Sequence, residues 1–175
     1  MTVSEEYQEW EQRLSKISFG YWDDLPGIDL YVDQVVAMVN EQLNTLGLVD
    51  VTRSMINNYV KHGLVLAPVK KKYARYQIAT ILTISLFKNL YSLSSINSAI
   101  SQLTLNNYPQ QIYNRFIGLL NAKLAKKPAP ANKNLVPENE QMIQLVVNAF
   151  VYRLRSAEML HLMEKHQHPQ EIKKD

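Results

Sequence analysis

The segment from Arg75 to about Leu90 constrains this chain more than any other. Ile78, Ala79, Ile81, Leu82, Ile84, Leu86, Phe87 and Leu90 leave it no polar stripe to offer water. A helix that is hydrophobic all round has to be buried, so the pattern predicts a central helix wrapped by others. With 175 residues the chain can build one good core, or a small domain with an extension.

The remaining apolar residues recur at helical spacing almost throughout, which makes the chain mainly α. A first helix is expected through "SEEYQEWEQRL", started by Ser4 with carboxylates in its first turn. "WDDLPGID" breaks the pattern. From Asp29 as N-cap, "LYVDQVVAMVNEQL" sets Val32, Val35, Val36, Val39 and Leu43 on one core-facing stripe. Thr52 can cap a short polar helix ending near His62, which Gly63 would stop in the left-handed conformation.

"LVLAPVKKKY" reads as a short two-stranded flap. "SLSSINSAI" supplies a serine cap and another helix, and Pro109 suits the first turn of the next. "KKPAPANKNLVPENE" reads as a linker. Beyond Pro137 a long helix to about Lys165 carries Met142, Leu145, Ala149, Tyr152, Ser156, Met159 and Met163 in 3-4 alternation. The aromatic residues Tyr7, Trp10, Phe19, Tyr21 and Trp22, with Tyr108, Tyr113 and Phe116, are expected in the core rather than in a ligand-binding lining.

Charge is divided unevenly along this frame. Residues 1–50 hold ten acids and two bases, whereas residues 51–137 hold twelve bases and not one carboxylate. Such a segment repels itself unless a polyanion or the acidic first third lies close. Double-stranded DNA is the expected partner, for a reason found in the helix after Thr52. There Met55, Ile56 and Tyr59 can turn inward while Arg53, Ser54, Asn57, Asn58 and Lys61 face out. Asparagine suits adenine edges, arginine suits guanine, and serine, threonine and lysine commonly hold phosphates. A flap bearing Lys70, Lys71 and Lys72, with Arg75 just after, follows directly, spaced for phosphates.

A helix, a glycine-containing turn, a polar second helix and a basic flap together make a winged helix-turn-helix. "YVKHGLVLAPVKKKYARYQIATIL" resembles the MerR-type winged helix on Tyr59, Gly63, Leu64, Pro68, Tyr73 and Tyr76. "PGIDLYVDQV" with "TRSMINNYVKHGLVLAPVKKKY" resembles more closely an uncharacterised bacterial family of unknown function thought to be MerR-like, over roughly residues 25–105. The resemblance implies DNA binding, with Tyr59 and the wing charge at backbone-contacting positions. The chain departs from the MerR pattern where Asn57 and Asn58 replace an arginine and an aromatic, where Ala74 replaces the wing arginine, and where no glycine precedes Tyr73.

The expected architecture is therefore mainly α, a MerR-like winged helix-turn-helix with additional C-terminal helices. Its parts are an N-terminal helical segment (1–25), the winged domain (26–105), a C-terminal helical dimerisation or effector region (106–165) and a flexible tail (166–175). The expected function is a sequence-specific transcriptional regulator acting as a homodimer, with a recognition helix at about 52–62 and a wing at about 64–74. The candidate DNA-binding residues are Thr52, Arg53, Ser54, Asn57, Asn58, Tyr59, Lys61, Lys70, Lys71, Lys72, Tyr73 and Arg75. A small-molecule effector is left open. The rival reading is a protein-interaction or small-ligand-sensing helical module that does not bind DNA.

Other classes find less support. Zero cysteines exclude disulfides and thiolate metal sites. "HLMEKHQH", with His161, His166 and His168, lacks metal-ligand spacing. No nucleophile with a base, glycine-rich loop or catalytic carboxylate pair stands out, so neither an enzyme nor a cofactor is expected. No apolar run reaches the roughly 18 residues that cross a bilayer, and a cytoplasmic protein is expected.

Overall fold

The computed structural model describes residues 1–166. They form seven helices, α1 (Val3–Leu14), α2 (Val32–Thr45), α3 (Arg53–Lys61), α4 (Arg75–Phe87), α5 (Leu93–Leu103), α6 (Pro109–Leu124) and α7 (Pro137–His166). Two short strands, β1 (Leu30–Tyr31) and β2 (Lys72–Tyr73), pair antiparallel with Leu30 opposite Tyr73 and Tyr31 opposite Lys72. A single 3-10 turn spans Trp22–Asp24. The chain is thus mainly helical with one small sheet, and no described helix is long and apolar enough to cross a membrane.

Helix α4 lies at the centre, as its composition requires. Ile78, Ile81, Leu82, Ile84 and Leu86 are each at most 2% exposed. Helix α2 packs on it with Val35, Val39 and Leu43, while α5 and α6 cover other sides. The predicted stop at Gly63 occurs, at φ +74°, and Gly47 ends α2 in the same way at φ +66°. The following residues close the motif, Leu48 N–H donating to Leu43 O at 3.1 Å and Leu64 N–H to Tyr59 O at 2.9 Å.

Three side-chain amides fix the segments between helices. Asn40 holds both backbone groups of Val51, accepting its N–H at 2.7 Å and donating to its carbonyl at 2.9 Å. This sets the turn from α2 to α3. Asn121 clamps Phe19 in the same two-point way, at 2.8 and 2.9 Å. Gln77, only 2% exposed, donates to the carbonyls of Leu66 and Ala67 and accepts the Ala74 N–H, so it ties the extended chain after α3 to the start of α4.

Tyr21 and Tyr108, expected in the core, are instead 42% and 78% exposed, and the elements depart from the expectation at three places. Helix α1 is capped by Thr2, not Ser4, because Thr2 and Glu5 complete a reciprocal capping box. Leu30 and Tyr31 leave the helical stripe to form β1, and α2 starts at Val32 with Gln34 accepting the Tyr31 N–H. Finally, the flap is not a self-contained pair: β2 takes its partner from β1, and only the Val69–Lys72 bridge forms within the flap.

Helix α7 is held at both ends by ion pairs. Arg115 of α6 makes a two-pronged contact with Glu140, with its Nε 2.7 Å from Oε2, and also donates to Pro130 O at 2.7 Å. Farther along, Glu11 of α1 accepts from Arg155 at 2.7 Å and Lys126 at 3.1 Å. Burial alone would raise the Glu11 carboxyl, but hydrogen bonds from Arg155 and Lys126 outweigh it and hold it below the ordinary range. His166, expected in the tail, is the last residue of α7, with Nε2 2.8 Å from Glu6 Oε1. The rest of the expected tail, including His168, lies outside the described residues.

The Arg115 contact also lowers the pKa of Glu140. A carboxyl depressed in the fold contributes stability that is complete above its unfolded value of 4.5 and lost as pH falls through the folded value. Both side chains are about nine-tenths buried, at 11% and 12% exposure. Arg115→Met is therefore expected to lower the unfolding free energy at pH 7 by about 3 kcal/mol, with a deficit that shrinks toward pH 4. Urea titrations at the two pH values measure it, and a deficit independent of pH would contradict the pairing.

Candidate nucleic-acid interface

Helix α3 begins where Thr52 Oγ1 accepts the Met55 N–H at 3.2 Å. Its inward residues are Ile56 and Tyr59, with Met55 and Val60 partly covered. At about 100° per residue, Arg53, Asn57, Lys61, Ser54 and Asn58 fall within an arc of about 140°. All five are exposed. The polar residues thus share one uncovered face, which none of the neighbouring helices occupies.

The hairpin adds charge in an unusual conformation. Val69 and Lys72 exchange both backbone hydrogen bonds, at 3.0 and 2.9 Å, leaving Lys70 and Lys71 as a two-residue loop. Both have positive φ, +50° and +65°. That geometry normally selects Asn-Gly, because a side chain with a Cβ is strained there by roughly 1 kcal/mol or more per residue. Two lysines at those positions hold their charges at the exposed tip at a cost to the turn itself. Lys72 differs: its Nζ lies 5.0 Å from the ring centre of Tyr31, a cation-π contact across the strand pair.

Helix α3 and the hairpin share a support. Arg53 forms a two-pronged ion pair with Asp33, its Nε 3.0 Å from Oδ1. Asp33 stands two residues beyond Tyr31, and Tyr31 is paired with Lys72. The contact also lowers the Asp33 pKa, chiefly through the hydrogen bond from Arg53. Any anion reaching Arg53 must therefore displace an existing carboxylate.

Three of the twelve candidates sit elsewhere. Tyr59 and Tyr73 are 2% and 3% exposed, their rings built into the core, and burial raises both phenols. The alternation on a half-buried strand and the 3.6-residue helical period carry them inward. Arg75 points back to the loop before β1, within 3.3 Å of Asp23 Oδ1 and 3.4 Å of Pro26 O. The other nine, Thr52, Arg53, Ser54, Asn57, Asn58, Lys61, Lys70, Lys71 and Lys72, lie at the surface or partly exposed.

Two further residues belong to this region. Asp33 is one. Lys88, at the C-terminal end of α4, is the other: with Asp50, Ser54, Asn58 and Tyr59 it lines an open hollow of about 620 Å³ beside α3. The Lys88 ammonium and the Tyr59 hydroxyl are buried there without a hydrogen-bond partner among the described residues. Burial lowers the Lys88 pKa, with Asp50 opposing. A lone lysine after a buried helix offers no sequence signal for this position.

These features define a helical protein with an exposed polar arc on α3 and an exposed lysine-tipped hairpin. The chain belongs to the family described as domain of unknown function (DUF1836), which matches residues 20–116. The match is wider than the 25–105 expected, running from the loop before the 3-10 turn into α6 and omitting α1 and α7. No curated protein and no solved structure matches the chain.

Two outcomes follow for stability. Replacing Lys70-Lys71 by Asn-Gly is expected to stabilise the fold by about 1 kcal/mol, since the turn then adopts its preferred residues; a loss in urea unfolding would show that the lysines make contacts which outweigh the strain. Lys88→Met is expected to raise the unfolding temperature at pH 7. A lysine whose folded pKa is lowered is penalised in full below that pKa, and the penalty shrinks above it and is gone only beyond the unfolded value of 10.5, so the gain should shrink in alkaline buffer.

Proposed function

We propose that this protein binds double-stranded DNA through a winged helix-turn-helix, with α2 as the first helix, α3 as the recognition helix and the 69–72 hairpin as the wing. The observation that carries the reading is the single exposed arc of Arg53, Ser54, Asn57, Asn58 and Lys61, together with an exposed hairpin whose two tip lysines occupy strained positions. Asn57 and Asn58 have the donor and acceptor pair that reads adenine, Arg53 the fork that reads guanine, and the lysines the charge that holds phosphates. Lys70, Lys71 and Lys61 make no ion pair among the described residues, so their charge is available to a polyanion. A protein of this kind would act in transcription.

Sequence-specific readout by one short helix covers few base pairs, and two copies about 34 Å apart would double it. Helix α7 supports such a homodimer. The face it turns away from the core carries Leu145, Tyr152 and Met163, each at least 48% exposed, along the 3-4 alternation of the sequence. Its inward face is a different set, Ile143, Val147, Phe150, Val151, Leu154 and Leu162.

Selection from random duplex DNA should enrich a motif with two-fold symmetry. Fluorescence anisotropy on that motif should then show affinity falling by about 0.9 log units per phosphate contact for each tenfold rise in salt. Replacing Lys70, Lys71 and Lys72 by Glu should weaken binding at least tenfold and flatten that slope, whereas Asp33→Asn, which frees Arg53, should strengthen it. No enriched motif, or a triple variant that binds like the parent, would refute the reading.

A further inference from the structure

On the side of α4 away from α2 lies a partly open space that the DNA reading does not use. A cavity of about 160 Å³ is formed between α4, α5, α6 and the first turns of α7, with Trp22 of the 3-10 turn also in its lining. Its deep walls are Phe87, Ile96, Phe116 and Ile143, all at most 5% exposed. Phe87 and Phe116 stand 5.4 Å apart between ring centres, and Trp22 meets Tyr113 edge-on at 5.9 Å. Rigid aromatic walls of this kind keep a cavity from collapsing.

The chemistry of the lining selects its occupant. No charged side chain contributes to it. Seven hydroxyls do, of which four donate to a backbone carbonyl, Thr80 to Tyr76, Thr83 to Ala79 and Thr104 to Ile100, all at 2.8 Å, and Tyr113 to Gly20 at 3.3 Å, while Ser95 accepts from Ser92 at 2.9 Å and Tyr76 and Tyr91 stand at the rim. An ionised or strongly polar ligand would lose its hydration there with nothing to replace it. An apolar ring would lose nothing. The volume is close to the roughly 150 Å³ of an apolar protein cavity known to take up benzene. At the rim, the partly exposed Tyr76 and Tyr91 are the only phenols facing the opening that hold no hydrogen bond among the described residues.

We infer that this cavity is a binding site for a small uncharged aromatic molecule, of one ring or two fused rings, whose single polar substituent is turned toward Tyr76 and Tyr91. The inference is independent of DNA binding, since no candidate DNA-binding residue lines the space. One wall, Met142, Ile143 and Val146, comes from α7, outside the matched family segment, so the site is complete only in the longer chain.

The probe is indole, titrated into the full chain with methyl groups observed by 13C–1H NMR. Saturable shifts are expected at Ile96, Ile112 and Ile143, and none at Ile56 in α3 or at the exposed Ile28. Ala99→Met and, separately, Thr83→Met introduce bulk into the cavity; each should weaken indole binding about tenfold or more while the remaining methyl spectrum stays that of a folded protein. Absence of shifts in the parent chain up to millimolar indole would overturn the inference. So would shifts spread over Ile28 and Ile56, or undiminished binding in a folded Met variant.

Discussion

The burial of α4 organises everything else in this molecule. A helix with no polar stripe cannot lie at a surface, so the chain must supply a coat, and each neighbour is positioned by the face it presents to that core. Helix α2 covers one side with Val35, Val39 and Leu43. Gln77, at the first turn of α4, reaches back to two carbonyls of the extended segment after α3 and thereby ties that segment to the core. The small sheet then needs only two residues per strand, because its ends are already anchored. A two-stranded ribbon of that length would not persist alone.

Charge is distributed on this frame in two ways. Part of the acidic first third is paired internally: Glu11 with Arg155 and Lys126, Asp23 with Arg75, Asp33 with Arg53. These contacts join α1 to the C-terminal helix and brace the approach to β1. Among the described residues, the bases of the carboxylate-free middle that hold no ion pair are Lys61 and Lys70 to Lys72 on α3 and the hairpin, and Lys88, Lys123, Lys127 and Lys133 elsewhere. On the proposed reading, Arg53 would be a conditional ligand, because the exposed Asp33 carboxylate that holds it would have to be replaced by a phosphate or a guanine edge. Solvent-exposed pairs of this type are weak, which allows such an exchange.

The helices could be read from the residues because their signals are local. Periodicity, the Thr52 cap and Gly63 each act within one or two turns, and α3, α4 and α7 occur where they were expected. The outward stripe of α7 was visible as a 3-4 pattern, although its exposure could be known only once Ile143, Val147 and Phe150 were seen to fill the core instead. The rest depends on distant parts of the chain. Leu30 and Tyr31 continue a helical stripe in sequence, and only the arrival of Tyr73 and Lys72 across more than forty residues makes them a strand. Tyr59 and Tyr73 carry a polar atom that invites a surface role, but their rings bury more area than one hydroxyl can oppose. The left-handed lysines could not be foreseen, since the turn defies the residue preference by which such turns are recognised.

The central claim is that the exposed arc of α3 and the lysine hairpin act as one surface toward a duplex. Hydrogen exchange of backbone amides, compared with and without a bound duplex at low salt, tests it directly. Slowed exchange confined to residues 53–61 and 69–73, rising together with duplex concentration, is the result the account predicts. Protection of only one of the two segments, or protection that appears instead along α7, would contradict it.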